Sequence, residues 1–224
     1  MLNSIFIIVV VSYLLGSIPF GYLLVWMARG QDVRKSGSGN IGATNVARTG
    51  SKGLAVATLL LDAAKGYLAV ALAFHLCGVP GAFLKPAPSA ATAGISNVPF
   101  ALHLAYLAAA LAAFCAMVGH MFPVWLRFRG GKGVAVSVGA CGAIAPRAVV
   151  VALVLFVIVV AITRYVSLGS MVGAVVFPFA CWWANPLTRD LGVMSFLAAS
   201  SWLIVWRHKD NIRRLAAGTE NRFR

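Results

Sequence analysis

The sequence predicts an all-α integral membrane protein of seven transmembrane helices, with its N-terminus outside and its C-terminus cytoplasmic. Three observations predict it. Hydrophobic residues make up 61% of the 224-residue chain and its mean hydropathy is +0.89, more apolar side chain than one soluble core of this size covers. Those residues fall into runs near the roughly 20-residue length that crosses a bilayer. The basic residues, 19 Lys and Arg against 5 Asp and Glu, gather in polar segments at one end of the runs.

The first run, 4–28, has no basic stretch ahead of it and is too long for the apolar part of a cleaved leader, so it reads as a retained span. Further spans are expected at 54–77, 99–119, 148–163, 166–184 and 190–206, and 134–146 is a shorter run of small residues. If 134–146 crosses, fifteen basic residues share one face with the C-terminal tail. Lys85, Arg147 and Arg189 lie opposite, and Lys65 falls inside the second span. Such an asymmetry marks a cytoplasmic face; without the short span the tail's cations would leave it. The chain reads as one domain, 1–224, with Gly78–Asn97 as an external loop of no evident chemistry.

The formal charge of +14 does not suggest nucleic acid, because the cations flank apolar runs rather than forming a basic domain. Anionic headgroups and phosphorylated small molecules are the expected partners. Cys77, Cys115, Cys141 and Cys181 lie in apolar stretches without metal-ligand spacing and read as buried small hydrophobes. Carboxylates are too few, and histidines too scattered, for a metal site. Asp62 and Lys65, three residues apart inside a span, are expected to pair.

Three polar blocks carry the chemistry. The first, Ser36–Gly50, contains Gly37, Gly39 and Gly42 at dinucleotide-fingerprint spacing, but no strand precedes it and a span follows, so that reading fails. What remains is a Gly/Ser/Asn loop whose backbone N–H groups can face an anion. Ser38, Asn40, Thr44 and Asn45 add neutral donors there, and Arg48 adds a bidentate cation. The second block, Arg129-Gly130-Gly131-Lys132-Gly133, opens the short span and sets Lys132 among glycines. His120, just upstream, suits a site role and a structural role equally. The third block runs from Arg207 to Arg222. His208 and Asn211 share a helix face, Gly218 ends the helix, and Glu220, the only Glu in the chain, follows on the returning tail. Between spans five and six, the turn at Arg164 can present Ser167 to the same place. No His is followed five residues on by Asp: those positions are Pro80, Ala108, Trp125 and Arg213. Acyltransferase chemistry built on that dyad is excluded.

The blocks SGSGNIGATNVARTG, GHMFPVWLRFRGGKGVA and RHKDNIRRLAAGTENR resemble, in order and spacing, the three motifs of the bacterial acyl-phosphate:glycerol-3-phosphate acyltransferase (PlsY) family. The segments LLLDAAKG and RYVSL fit the same pattern, so the resemblance covers nearly the whole chain. Ile41 stands where many members have Pro, and the loop around Gly78–Pro99 is longer than usual; neither change removes a polar group. The resemblance implies transfer of a fatty acyl group from acyl phosphate to the 1-hydroxyl of sn-glycerol 3-phosphate, giving lysophosphatidic acid and phosphate. It implies His208, Asn211, Ser38 and Lys132 as the catalytic set. Ser36, Gly37, Gly39, Asn40, Asn45, Arg48, Gly130, Gly131, Arg164, Ser167, Arg214 and Glu220 are implied to bind substrate and phosphate. The expected partners are long-chain acyl phosphate, glycerol 3-phosphate and the lipid bilayer, with no cofactor, no metal and a monomeric chain. The expected location is the bacterial cytoplasmic (inner) membrane. A transporter of phosphorylated metabolites is the competing reading; the absence of internal repeats and of a charged path across the bilayer weighs against it.

Overall fold

The computed structural model describes residues 2–79 and 99–222; Lys85 and most of the expected external loop lie outside them. Among the described residues the regular structure is helical throughout: α1 (Leu2–Ser17), α2 (Phe20–Arg29), α3 (Ala43–Arg48), α4 (Lys52–Leu76), α5 (Phe100–Met121), α6 (Val134–Ile144), α7 (Pro146–Thr163), α8 (Val166–Ala184), α9 (Leu191–Arg207) and α10 (Lys209–Ala216). Five segments are long and apolar enough to cross a membrane: Leu2–Arg29, Lys52–Leu76, Phe100–Leu126, Pro146–Thr163 and Val166–Ala184. α6 and α9 are apolar but shorter, at 11 and 17 residues.

The first expected span is one run in the sequence and two helices in the structure. Pro19 has no N–H to continue the ladder, and Phe20 N–H turns back to the Ile18 carbonyl (3.1 Å). The Ile18 carbonyl, with a second lone pair outside the helical ladder, takes a further donor. Lys65 supplies it: its Nζ donates to Ile18 O (2.7 Å) and also meets Asp62 Oδ1 (2.7 Å) and His120 Nδ1 (3.0 Å). The expected Asp62–Lys65 pair is present, with both side chains 2% exposed. His120, also buried, takes the structural of its two roles.

α6 is too short to cross alone, rising about 16 Å at ~1.5 Å per residue. It lies against α4 instead, glycine facing backbone. A Cβ on Gly139 would stand 1.8 Å from the Ala63 carbonyl oxygen, and one on Gly66 would stand 2.2 Å from that of Val136. Such close approach of small residues is how helices associate without a hydrophobic driving force. The C-terminal carbonyl of α6 is met by Asn185, whose Nδ2 donates to Ile144 O (3.0 Å). α1 runs along α5 and α7 along α8.

The outward surface matches a bilayer. Val150, Val154, Val157 and Ile162 of α7 are exposed. All six tryptophans lie toward helix ends, where amphipathic rings favour the interface. Trp26, Trp125, Trp202 and Trp206 mark the face carrying the polar blocks, and Trp182 and Trp183 mark the other end of α8.

Removing one member of a buried ion pair leaves an uncompensated charge, at a cost of about 3–5 kcal/mol. Asp62→Ala is therefore expected to lower the midpoint of thermal unfolding in detergent by many degrees. Asp62→Leu combined with Lys65→Met should recover much of the loss. Size-exclusion thermostability profiles of the two variants check this.

Candidate active site

The second and third polar blocks and the α7–α8 turn are joined by a continuous line of hydrogen bonds, and Arg48 of the first block lies close enough to act on Lys132. Glu220 is the centre of this line. Gly218, in the left-handed region at φ 67°, reverses the chain after α10, with Gly218 N–H on the Leu215 carbonyl and Thr219 N–H on that of Arg214. This Schellman arrangement aims the returning carboxylate back at α10. Glu220 Oε1 accepts from Ser167 Oγ (2.9 Å) and Asn211 Nδ2 (2.7 Å), while Oε2 accepts from Arg214 Nε (2.7 Å). Asn211 Oδ1 in turn accepts from Lys132 Nζ. Ser167, Asn211 and Glu220 are all buried.

Arg48, Arg207 and Arg214 are close enough to Lys132 to act on its charge, with Glu220 the one opposing group. Burial first, then these three guanidinium groups against the pull of Glu220, push Lys132 down to about 8. Burial alone would raise Glu220, but the bonds from Arg214, Asn211 and Ser167 outweigh it and hold the carboxyl below its usual range. His208 donates from Nδ1 to the Ile204 carbonyl (2.8 Å), since a carbonyl can only accept; the lone pair is therefore on Nε2. Burial, helped by Lys132 and Arg207, pushes this imidazole down to about 4, so it is neutral at physiological pH.

The glycines and asparagines of the blocks do different work from that expected of them. Gly130 and Gly131 do not offer N–H groups to an anion: theirs donate to the Met121 (3.1 Å) and His120 (3.0 Å) carbonyls. A Cβ on Gly131 would fall 1.9 Å from His120 Nε2, so glycine is needed for the loop to lie on that ring. Their own carbonyls accept from Arg207, through Nη2 to Gly130 (3.0 Å) and Nε to Gly131 (3.1 Å). Asn45, 2% exposed, braces the first loop. Its Nδ2 faces the carbonyls of Val33, Ser36 and Asn40, and its Oδ1 accepts from Ser38 N–H (2.8 Å) and Oγ (3.2 Å). Asn40 Oδ1 accepts from Gly42 N–H (3.0 Å), just ahead of α3. Gly37 and Gly39 are both left-handed, at φ 58° and 71°; Gly39 N–H closes on Ser36 O (3.1 Å). Ser36, Ser38 and Arg48 are exposed. Arg164 caps α7 at φ 64°, its N–H on the Val160 carbonyl, but it is exposed and its guanidinium makes no hydrogen bond or ion pair among the described residues. Arg207, which no spacing in the sequence singles out, ties the second block to the third.

An apolar cleft of about 60 Å³ lies between α6, α7, α8 and α9. Val134, two residues past Lys132, and Ile204, whose carbonyl holds His208, line it together with Phe156 and Phe177.

A polytopic membrane protein with a cation-rich polar cluster on one face, beside an apolar cleft, has the parts of an enzyme that joins a phosphorylated polar molecule to a lipid. The chain belongs to the glycerol-3-phosphate acyltransferase family: that family's model, described as "Glycerol-3-phosphate acyltransferase", matches residues 6–218. It is an acyltransferase by that membership. A glycerol-3-phosphate acyltransferase of Agrobacterium fabrum is 44% identical over 213 residues, 95% of this chain and 89% of the relative. Two crystal structures of PlsY, an integral membrane glycerol 3-phosphate acyltransferase, superpose on it. The glycerol 3-phosphate form does so with TM-score 0.79 at 29% identity, covering 99% of this chain and 96% of that one. The lysophosphatidic acid form gives 0.75 at 28%, with the same coverage.

A lysine with a pKa near 8 is protonated below that pH and loses its charge above it. Binding of inorganic phosphate to the ligand-free protein is expected to weaken as pH rises through about 8. Lys132→Arg should abolish that dependence. Calorimetric titrations between pH 6.5 and 9.5 read both.

Proposed function

We propose that this protein transfers a long-chain acyl group from acyl phosphate to the 1-hydroxyl of sn-glycerol 3-phosphate at the clustered polar blocks. The observation that carries this reading is the convergence of Arg48, Arg207, Arg214 and the Glu220 carboxylate on Lys132, beside an apolar cleft lined by Val134 and Ile204. Both substrates carry phosphate, and bringing them together requires several fixed cations with little opposing charge.

Lys132 and Arg48 hold phosphate, with Ser38 and the Gly37–Gly39 turn beside them. Ser167, Asn211 and Arg214, locked by Glu220, set the glycerol 3-phosphate end; Arg164 contributes charge at the rim. Asn45, Asn40, Gly130 and Gly131 act at one remove, by shaping the two loops. The 1-hydroxyl oxygen attacks the acyl carbonyl carbon, the bond from that carbon to the phosphate oxygen breaks, and phosphate leaves. A neutral imidazole with a pKa of about 4 is a weak base at pH 7. His208 therefore accepts a hydrogen bond from the hydroxyl at Nε2 and orients it, while the leaving phosphate takes the proton.

In the membrane the chain crosses seven times, N-terminus out and active face cytoplasmic, with α6 as a half-length crossing sheathed by protein. It acts as a single domain and a monomer in the bacterial inner membrane.

Purified protein is expected to convert labelled glycerol 3-phosphate to lysophosphatidic acid with palmitoyl phosphate and not with palmitoyl-CoA. Lys132→Ala should lower turnover by about 10²–10³, the scale for removing one preorganised electrostatic contact. Turnover with the CoA ester alone would overturn the donor. His208→Gln, which keeps an acceptor and loses the imidazole, should retain a measurable kcat that is flat from pH 6 to 8. Collapse of that variant's kcat to background would make His208 the base.

A further inference from the structure

A second cavity on the active face borders the site, sharing Gly39, Gly130 and Arg207 with it, and has no part in the reaction as proposed. It has a volume of about 1160 Å³, and Lys132, His208, Asn211 and Glu220 are not among its lining residues. Five cations line it. Lys35, Arg127 and Arg129 are exposed, and none of their side chains has a hydrogen-bond, ion-pair or ring partner among the described residues. The other cations on its wall are committed: Arg34 to both oxygens of Asp32 (3.0 and 2.8 Å) and to the Tyr22 ring, Arg207 to the Gly130 and Gly131 carbonyls. Asp32 is the only carboxylate of the lining, and Arg34 neutralises it.

Below the cations the lining is apolar: Ile18 and Leu23 from either side of the α1–α2 break, then Trp125 and Phe128. Trp125 belongs to the interfacial tryptophans, so the cavity spans the boundary between headgroups and hydrocarbon. Arg127 and Phe128 take positive φ, 54° and 61°, a conformation that a bulky L-residue enters only where its surroundings enforce it. Here the short turn at Val124–Leu126 does so, through Arg127 N–H to the Val124 carbonyl (3.3 Å) and Phe128 N–H to that of Pro123 (3.0 Å). Positive-inside charge accounts for cations on this face, but not for three unpartnered ones around a single cavity with an apolar floor.

We propose that this cavity binds an anionic glycerophospholipid of the surrounding leaflet. Its headgroup phosphate sits among Lys35, Arg127 and Arg129, and its acyl chains lie along Leu23, Trp125 and Phe128. A soluble phosphate would satisfy the cations and leave the apolar floor idle; a zwitterionic lipid would bring its own cation against theirs.

The test uses the full chain in phosphatidylcholine nanodiscs doped with phosphatidylglycerol, with retained lipid read by native mass spectrometry and affinity by titration of a fluorescent phosphatidylglycerol. Wild type should retain phosphatidylglycerol over phosphatidylcholine. Lys35→Gln with Arg127→Gln removes two charges at similar size and should weaken binding about 30-fold. Acyl transfer in pure phosphatidylcholine and thermal unfolding should be unchanged, and Lys35→Arg with Arg127→Lys should bind as wild type. No preference for the anionic lipid, or equal affinity in the neutralised variant, overturns the proposal. So does displacement of the lipid by an equal concentration of inorganic phosphate, which would make this a soluble-anion site.

Discussion

The ammonium of Lys65, buried within the membrane, holds three segments together. It pairs with Asp62 on its own helix, donates to the Ile18 carbonyl beside the break at Pro19 and contacts His120 on α5. The consequences run outward. The His120 ring is the surface on which Gly131 rests; the carbonyls of Gly130 and Gly131 fix Arg207; and Arg207 directly precedes His208. A charge costly to bury is thus tied, through four contacts, to the placement of the polar blocks. Its desolvation is offset only because every neighbour is a fixed partner.

The second organising fact is how the few acids are used. All five have protein partners: Asp32 with Arg34, Asp62 with Lys65, Asp190 at the N-terminus of α9 through Val193 N–H, Asp210 with Arg213 and Glu220 with Arg214. No carboxylate is left over to neutralise the surplus cations of the active face. Glu220 apart, the protein holds these like charges close together, and burial, then this repulsion, depresses the Lys132 pKa. Anions arriving from outside relieve that repulsion, so ligand binding and the easing of internal strain act in the same direction.

Much of this was legible in the chain. Hydropathy located the apolar segments, and the i, i+3 spacing of Asp62 and Lys65 announced their pairing. Gly218 announced the reversal that returns Glu220. Legibility failed where a residue's role depends on something distant in sequence. An average over an apolar run does not register a missing N–H, so the break at Pro19 was read through, and its partner lies 47 residues away. The glycines beside Lys132 look like room for phosphate; only the position of His120 reveals that they make room for a ring. Asn45 reads as a donor for ligand, but its amide is already engaged by the backbone of its own loop, which only the folded turn brings within reach. Arg207 resembles any cation at a helix end until the carbonyls it grips are seen.

The seat of Glu220, behind every long helix in chain order, has a consequence for biogenesis. Ser167, Asn211 and Arg214 acquire their common acceptor only after α9 has been delivered and the chain has doubled back past Gly218. A nascent chain with fewer segments threaded holds the cations without the carboxylate that orders them. If α9 crosses the membrane, as proposed, a molecule in which it entered the wrong way round would strand His208 and Glu220 across the bilayer from Lys132. Faulty insertion therefore gives a silent protein, and competence becomes a report that the whole chain was threaded correctly.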